Sequence, residues 1–303
     1  MANKRYPLLL FVFCFVTFSA TAQYNKKHII LDADTDNEVD DLFAISRALL
    51  ESSWSITALN ATQWQSSQWA AAQSMENGYR LNQAIATHIG AKVLQRRGGE
   101  GRMYDWGDKA RHSAAAYEII KQAKAMPEGQ QLTVVALGAL TNVASAIFID
   151  PTIEGKLNLY WLGTSYDFEN QLLGITDFNC MMDIQALFIM LKSSVNMHII
   201  PVSEANRFTF NYDETNDKLR GKHKLGDMLM NRWVDHSDGG KNQRVLWDLA
   251  LIEAMIHPEY VTEVPVKLSP EFGNRTVNFY KDINAEAMKK DFHQIMNNFF
   301  EEQ

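Results

Sequence analysis

A chain of 303 residues with a net charge of −7 and no Lys/Arg-rich stretch does not bind nucleic acid by neutralising phosphates. Its length suffices for one large α/β domain with a substantial core. The two cysteines, Cys14 and Cys180, bracket the organisation. Lys4 and Arg5 followed by the apolar run Leu8 to Phe18 and the small-residue pattern Ala20-Thr21-Ala22 predict a signal peptide over 1–22. That run is short for a membrane-spanning helix, so no membrane partner is expected after cleavage. Residues 23–303 are then an exported chain, periplasmic or secreted, whose one thiol, Cys180, allows no internal disulfide.

Taken in chain order, strand and helix patterns alternate. His28 to Leu31 is a short β-branched run that ends in acidic residues, and Leu42 to Leu50 carries apolar residues at helical spacing. Ser55 to Leu59 reads as a second strand, Ser66 to Ala86 as a helical stretch, and Leu132 to Leu137 as a third strand closed by Gly138. A helix follows through Asn142 to Phe148, then strands at Leu157 to Leu162 and Met197 to Val202. The segment Val261 to Phe279 has strand-like pieces expected to form a small side layer. No repeat or linker divides the chain. This rhythm predicts a single α/β domain with a mainly parallel open sheet flanked by helices, a Rossmann-like arrangement. Ligands of such sheets bind beyond the carboxyl ends of the strands. The segments that matter are therefore 32–41, Gln63-Trp64, 137–142 and 163–179.

The first of these packs six carboxylates into ten residues: Asp32, Asp34, Asp36, Glu38, Asp40 and Asp41. No Lys or Arg lies between His28 and Arg47 to offset them. Crowded like charges need a cation or protons. A hard divalent ion with oxygen ligands answers the need, and Ca²⁺ accepts many carboxylates more readily than Mg²⁺. The bland alternative is a solvated loop whose acids favour the next helix N-terminus, which suffices for Asp36 and Glu38. An EF-hand fits poorly, because the loop lacks the central Gly and joins a strand to a helix. A haloacid-dehalogenase-type phosphatase shares the Asp-x-Asp pair but calls for Thr or Val where Asp36 stands.

The cluster resembles the N-terminal signature of the nucleoside hydrolase family, a strand followed by Asp-x-Asp, a turn and Asp-Asp. Asp32-Ala33-Asp34 and Asp40-Asp41 match, with a longer turn that departs at Asp36, Glu38 and Leu42. Further on, Leu137-Gly138-Ala139-Leu140-Thr141-Asn142 is similar to the family's Gly-Pro-Leu-Thr-Asn. Asp177-Phe178-Asn179 and Asp183-Ile184-Gln185-Ala186 resemble its Glu-Phe-Asn and Asp-Pro-Glu-Ala, and Trp247-Asp248-Leu249-Ala250 its C-terminal Asp-Pro-Leu-Ala. Gly273-Asn274-Arg275 with Val277 has the look of its late strand. Four such segments in order are a strong signal where each alone is weak.

The resemblance implies the nucleoside hydrolase fold and Ca²⁺-dependent hydrolysis of ribonucleosides. Asp34, Asp41 and Asp248 would ligate the ion through carboxylates and Leu137 through its backbone carbonyl. Asp34 would also take the proton of the attacking water. Asp40 would bind a ribose hydroxyl and Asn179 those on the sugar's other edge. Asp177 and Asn170 would face the 5′ side, and Gln63 falls where the family places a ribose-contacting Asn. Asp32 would support the cluster from behind, and Asn142 would anchor its turn through backbone hydrogen bonds.

Nonspecific members carry His before the C-terminal Asp, where this chain has Trp247. Purine-preferring members stack the base between Trp rings, so Trp247 reads as a purine platform, with Trp64, Trp106 or Trp233 opposite. A core role for Trp247 is the alternative, and His112 and His236 are candidate acids without motif support, since a lone His is more often structural. The resemblance further implies a homo-oligomer, dimer or tetramer. Two other functions stay open: a secreted Ca²⁺-dependent nucleoside- or sugar-binding protein without turnover, and a metal-dependent phosphatase.

Overall fold

A computed structural model describes residues 26–68, 70–236 and 239–302. The expected signal peptide over 1–22 lies outside them. Among the described residues no helix is long and apolar enough to cross a membrane.

The first half runs β1 (Lys27–Ala33), α1 (Asp40–Leu49), β2 (Trp54–Ala61), α2 (Ser74–Ile89), β3 (Leu94–Arg97), α3 (Ala114–Ala125), β4 (Leu132–Ala136) and α4 (Thr141–Ile149). The second continues β5 (Leu157–Leu162), β6 (Ser165–Asp167), β7 (Leu172–Gly174), α5 (Phe178–Met182), α6 (Ile184–Lys192), β8 (Asn196–Ile200) and α7 (Val202–Ala205). It closes with β9 (Thr209–Asn211), α8 (Tyr212–Leu219), α9 (Lys224–Asp235), β10 (Gln243–Val245), α10 (Trp247–Ile256), β11 (Thr262–Lys267), β12 (Thr276–Lys281) and α11 (Ala285–Glu301).

Eight strands form one sheet in the order β11-β12-β8-β5-β4-β1-β2-β3, parallel except for β11 against β12. β1 and β4 are neighbours in space, and the chain winds outward from them in both directions. Their carboxyl ends therefore form the switch point at which open α/β sheets bind ligands. Leu31 pairs with Val135 and Asp32 with Ala136, which brings the acidic turn after β1 against the Leu137-Gly138 turn after β4.

Central strands buried on both faces explain the near-continuous apolar runs Ile29-Ile30-Leu31 and Val134-Val135-Ala136. On one face Leu42, Phe43, Leu249, Ile252 and Phe292 pack from α1, α10 and α11. On the other, Ile119, Val143 and Leu187 pack from α3, α4 and α6 against Ile30, Val134 and Leu159. Each such side chain contributes roughly 1.5–3 kcal/mol.

The fold class stands as expected, as one domain with a mainly parallel sheet. Three element boundaries differ. The helix expected from Ser66 begins at Ser74, because Ser66 to Gln73 lacks apolar periodicity. That segment turns repeatedly instead, with Ser67 N to Trp64 O, Ala70 N to Ser67 O and Ser74 N to Ala71 O. β8 stops at Ile200, where Pro201 supplies no N–H to a ladder and Val202 opens α7. The Val261 to Phe279 region is no side layer: β12 joins β8 in parallel and β11 forms the antiparallel edge of the main sheet.

Candidate active site at the switch point

The cleft has a volume of about 150 Å³, and its walls come from the turns after β1 and β4, the end of β5, α7 with Asn206 just beyond it, and the starts of α1, α5 and α10. Asp34, Asp40, Asp41, Leu137, Asp177, Asn179, Trp247 and Asp248 all line it. Gln63 and Asn170 do not. Gln63 is buried behind the wall, where its Nε2 donates to Thr141 Oγ1 (3.0 Å) and the Met182 carbonyl (3.3 Å). Asn170 sits in the turn between β6 and β7, donating to Asp167 (2.7 Å).

Asp40 and Asp41 open α1, and Asp248 stands in the first turn of α10. Neither helix caps itself with its preceding side chain; instead Asp40 Oδ2 accepts from the Asp248 amide (3.0 Å). Asp40, Asp41 and Asp248 each bring a carboxylate oxygen within 4.8 Å of the others, all three buried. Asp34 lies beside this trio, and its charge raises the pKa of both Asp41 and Asp248. The geometry thus joins Asp40 to the expected ligands Asp41 and Asp248.

The longer turn is held from outside. Asn37 N donates to Asp34 O (2.7 Å), and Arg232 on α9 donates to the carbonyls of Asp36 (2.7 Å) and Glu38 (3.0 Å). Asn77 on α2 donates to the Asp36 carboxylate (3.1 Å), so Asp36 ties the turn to that helix. Asp32 is second to the cleft: buried, it accepts from Asn142 Nδ2 (2.8 Å). Asn142 also donates to Ala61 O (3.2 Å) and accepts from Gly99 N (3.0 Å), so it pins β1, β2 and the β4 turn together. Gly138 has no room for a side chain, since a Cβ would meet Asp34 Oδ1 at 2.4 Å.

The electrostatics follow from burial and like charge. Burial first, then Asp40, pushes Asp34 up to about 7. Asp40 is raised to about 6 by burial, against the lowering effect of the Asp248 amide and, more weakly, Arg244. Asp41 and Asp248 are held well above the usual carboxylate range by burial and by their acidic neighbours. Asp34 Oδ2, Asp41 Oδ1 and Asp248 Oδ1 are buried without a hydrogen-bond partner. Buried polar atoms are almost always paired, and these converge on one cleft. An all-oxygen donor set with surplus negative charge fits a hard divalent cation.

Asn179 Nδ2 donates to the carbonyls of Leu137 (2.7 Å) and Leu162 (3.0 Å). Both its N–H groups are spent there, so Asn179 presents its Oδ1 as an acceptor. The Leu137 carbonyl keeps a second lone pair for a cation. Asp177 caps α5, accepting from Asn179 N (2.9 Å), Cys180 N (3.3 Å) and Thr164 N. Trp247 Nε1 donates to Asn206 Oδ1 (2.7 Å) at the cleft wall. Among the described residues, no other tryptophan lines the cleft. Trp233 is core against Phe43, Trp106 is 84% exposed, and Trp64 packs behind Phe178. Phe178 and Asn206 line the cleft and went unassigned from sequence; Phe178 lay within the Asp-Phe-Asn segment, whereas nothing local marks Asn206. His112 is at the surface, paired with Asp108 (2.8 Å).

Fold and cleft together define an open α/β protein with a carboxylate-rich, cation-suited site at the switch point of its sheet. The family model for inosine-uridine preferring nucleoside hydrolase matches residues 29–295, and the chain belongs to that family. A probable uridine nucleosidase of Oryza sativa subsp. japonica is 31% identical over 140 residues, spanning 44% of this chain and 43% of its own length. Among solved structures, a purine-preferring ribonucleoside hydrolase from Gardnerella vaginalis superposes with a TM-score of 0.70 at 19% identity, over 91% of this chain and all of its own. An inosine-uridine preferring nucleoside hydrolase from Bacillus anthracis gives 0.69 at 16% identity, over 90% and 99%. At these identities the two structures establish the shared fold. Family membership leaves the phosphatase alternative without support.

Proposed function

We propose that the chain hydrolyses the N-ribosidic bond of ribonucleosides, purine ones by preference, to free base and ribose, with Ca²⁺ as its cation. The observation that carries this is the convergence of Asp34, Asp40, Asp41 and Asp248, with orphaned buried oxygens, at the switch point of a nucleoside hydrolase fold. Asp41 and Asp248 with the Leu137 carbonyl would hold the ion, joined by Asp34. Bound there, the cation supplies a water of lowered pKa. Asp34 takes the proton of the attacking water as its oxygen bonds to C1′ and the bond to the base breaks. Asp40 and Asn179 Oδ1 accept from ribose hydroxyls, and Asp177 stands on the 5′ side. The base departs with its electron pair and takes a proton from solvent water at a ring nitrogen. Stacking against Trp247 favours that protonated form, and the ring of Phe178 lines the same cleft. The purine preference rests on Trp247, and the purine preference of the Gardnerella relative agrees with it.

Among the described residues that line the cleft, none is His, Lys, Arg or Tyr. That observation favours a second reading, a Ca²⁺-dependent nucleoside-binding protein without turnover. Ribose release from inosine, guanosine, adenosine and uridine with added Ca²⁺ separates the two. Release fastest with the purines is expected; tight binding with no release from any of the four establishes the binder. We further propose export to the periplasm or medium, on the basic and apolar leader, and assembly as a homo-oligomer as the resemblance implies.

A further inference from the structure

Away from the cleft, α1, α10 and α11 meet around a second cluster of ionisable groups. Glu253 lies in the last turn of α10 and His257 just beyond it, four residues on and so on the same face. Asp291 approaches from α11. One ligand atom from each of these three lies within 4.8 Å of the other two. Glu253 is fully buried, yet its Oε2 has no hydrogen-bond partner. His257 Nε2 is 3.2 Å from Asp291 Oδ1, but it too makes no hydrogen bond.

The surroundings orient the three groups as ligands are oriented. His257 Nδ1 is 3.1 Å from Glu259 Oε1, the outer contact that fixes an imidazole with Nε2 pointing inward. Arg47 takes up the other oxygens, with Nε on Glu253 Oε1 (3.1 Å), Nη2 on Asp291 Oδ2 (2.7 Å) and Nη1 on Glu51 Oε2 (3.1 Å). Three carboxylates around one guanidinium leave two negative charges over, the charge that a divalent ion cancels. His257 and Asp291 are about one-fifth exposed, 21% and 20%, so an ion has a way in.

We propose that Glu253, His257 and Asp291 form a second divalent-cation site, separate from the cleft and selective for a borderline ion such as Zn²⁺. One imidazole nitrogen with two carboxylate oxygens suits that ion class better than Ca²⁺, which takes oxygen alone. Three protein ligands leave a position for water, and the ion clamps α10 to α11.

Untagged full-length protein, saturated with Ca²⁺ to fill the acidic cleft, is titrated with Co²⁺ while its visible absorption is followed. The expected result is a stoichiometric band of an imidazole-ligated ion, displaced by Zn²⁺, with a rise in the thermal midpoint on Zn²⁺ addition. His257→Ala abolishes the band, Asp291→Asn weakens Co²⁺ binding at least tenfold, and nucleoside hydrolysis is unchanged in both. Wild-type protein without such a band would show that a proton shared by Glu253 and Asp291 balances the cluster, and would overturn the proposal. So would an identical titration in folded His257→Ala. The cleft offers carboxylates and no imidazole, so this outcome is independent of whether the chain hydrolyses nucleosides.

Discussion

The two ends of the α1–α10 pair treat negative charge in opposite ways. The helices lie side by side and point the same way, since Asp40 meets Asp248 at their starts and Arg47 meets Glu253 further along. At the N-terminal end four carboxylates crowd together where the helix dipoles favour anions. Arg244 acts only weakly on Asp40 there. At the other end the dipoles disfavour anions, and Arg47 is driven into the middle of Glu51, Glu253 and Asp291. Even so, burial raises Glu253 to about 8. Arg47 offsets part of the charge at one end and ties its helices together. The four carboxylates at the other end lie in the substrate-sized cleft with no guanidinium among the described residues that line it, and that marks it as the functional end.

Breaking each end should therefore fail differently. Asp248→Asn should lower kcat/KM by on the order of 10³-fold, because a cation ligand is lost. In chelator the same variant should be more stable than wild type by about 1–2 kcal/mol, as one repelling charge is gone. Ribose-release kinetics and urea denaturation read the two effects. Arg47→Met should do the reverse, costing about 3–5 kcal/mol by stranding buried carboxylates. Denaturation midpoints check it, and remaining folded protein should keep its kcat.

A third buried group sharpens the contrast. His293 packs against Phe210 and Phe292, and burial, then the charge of Lys218, lowers it from 6.5 to about 4 against the opposing pull of Glu214. The folded protein keeps it neutral while the unfolded chain takes up a proton below about pH 6.5. Stability should fall by up to about 3 kcal/mol as pH drops from 6.5 to 4, and His293→Phe should flatten that part of the profile. The smallest effect concerns the base. Trp247→Ala should cost about tenfold in kcat/KM for inosine, roughly 1.4 kcal/mol, and less for uridine.

What the sequence made legible was whatever repeats locally. The β1 run, the like-charged stretch behind it and the Gly138 turn each carry their signal within a few residues, and all three met where expected. Asp248 became readable because a cation site gathers distant acids. The misplacements are tertiary. Gln63 follows its strand as a ligand residue would, yet its side chain turns back to Thr141. Asn170 follows a strand too, yet its side chain is used by Asp167 in a turn. Arg232, which fixes the acidic turn, and Asn206, which orients Trp247, lie some 190 and 40 residues from what they hold, with no local pattern to expose them. The β11–β12 pair likewise looks the same in sequence whether it forms a side layer or the edge of the main sheet.

The most direct test strips the protein of metal and titrates it with Ca²⁺, following bound ion and ribose release from inosine together. Activity rising in step with a single tightly bound equivalent, and absent in Asp248→Asn, is the predicted result. Undiminished ribose release in excess chelator would contradict it.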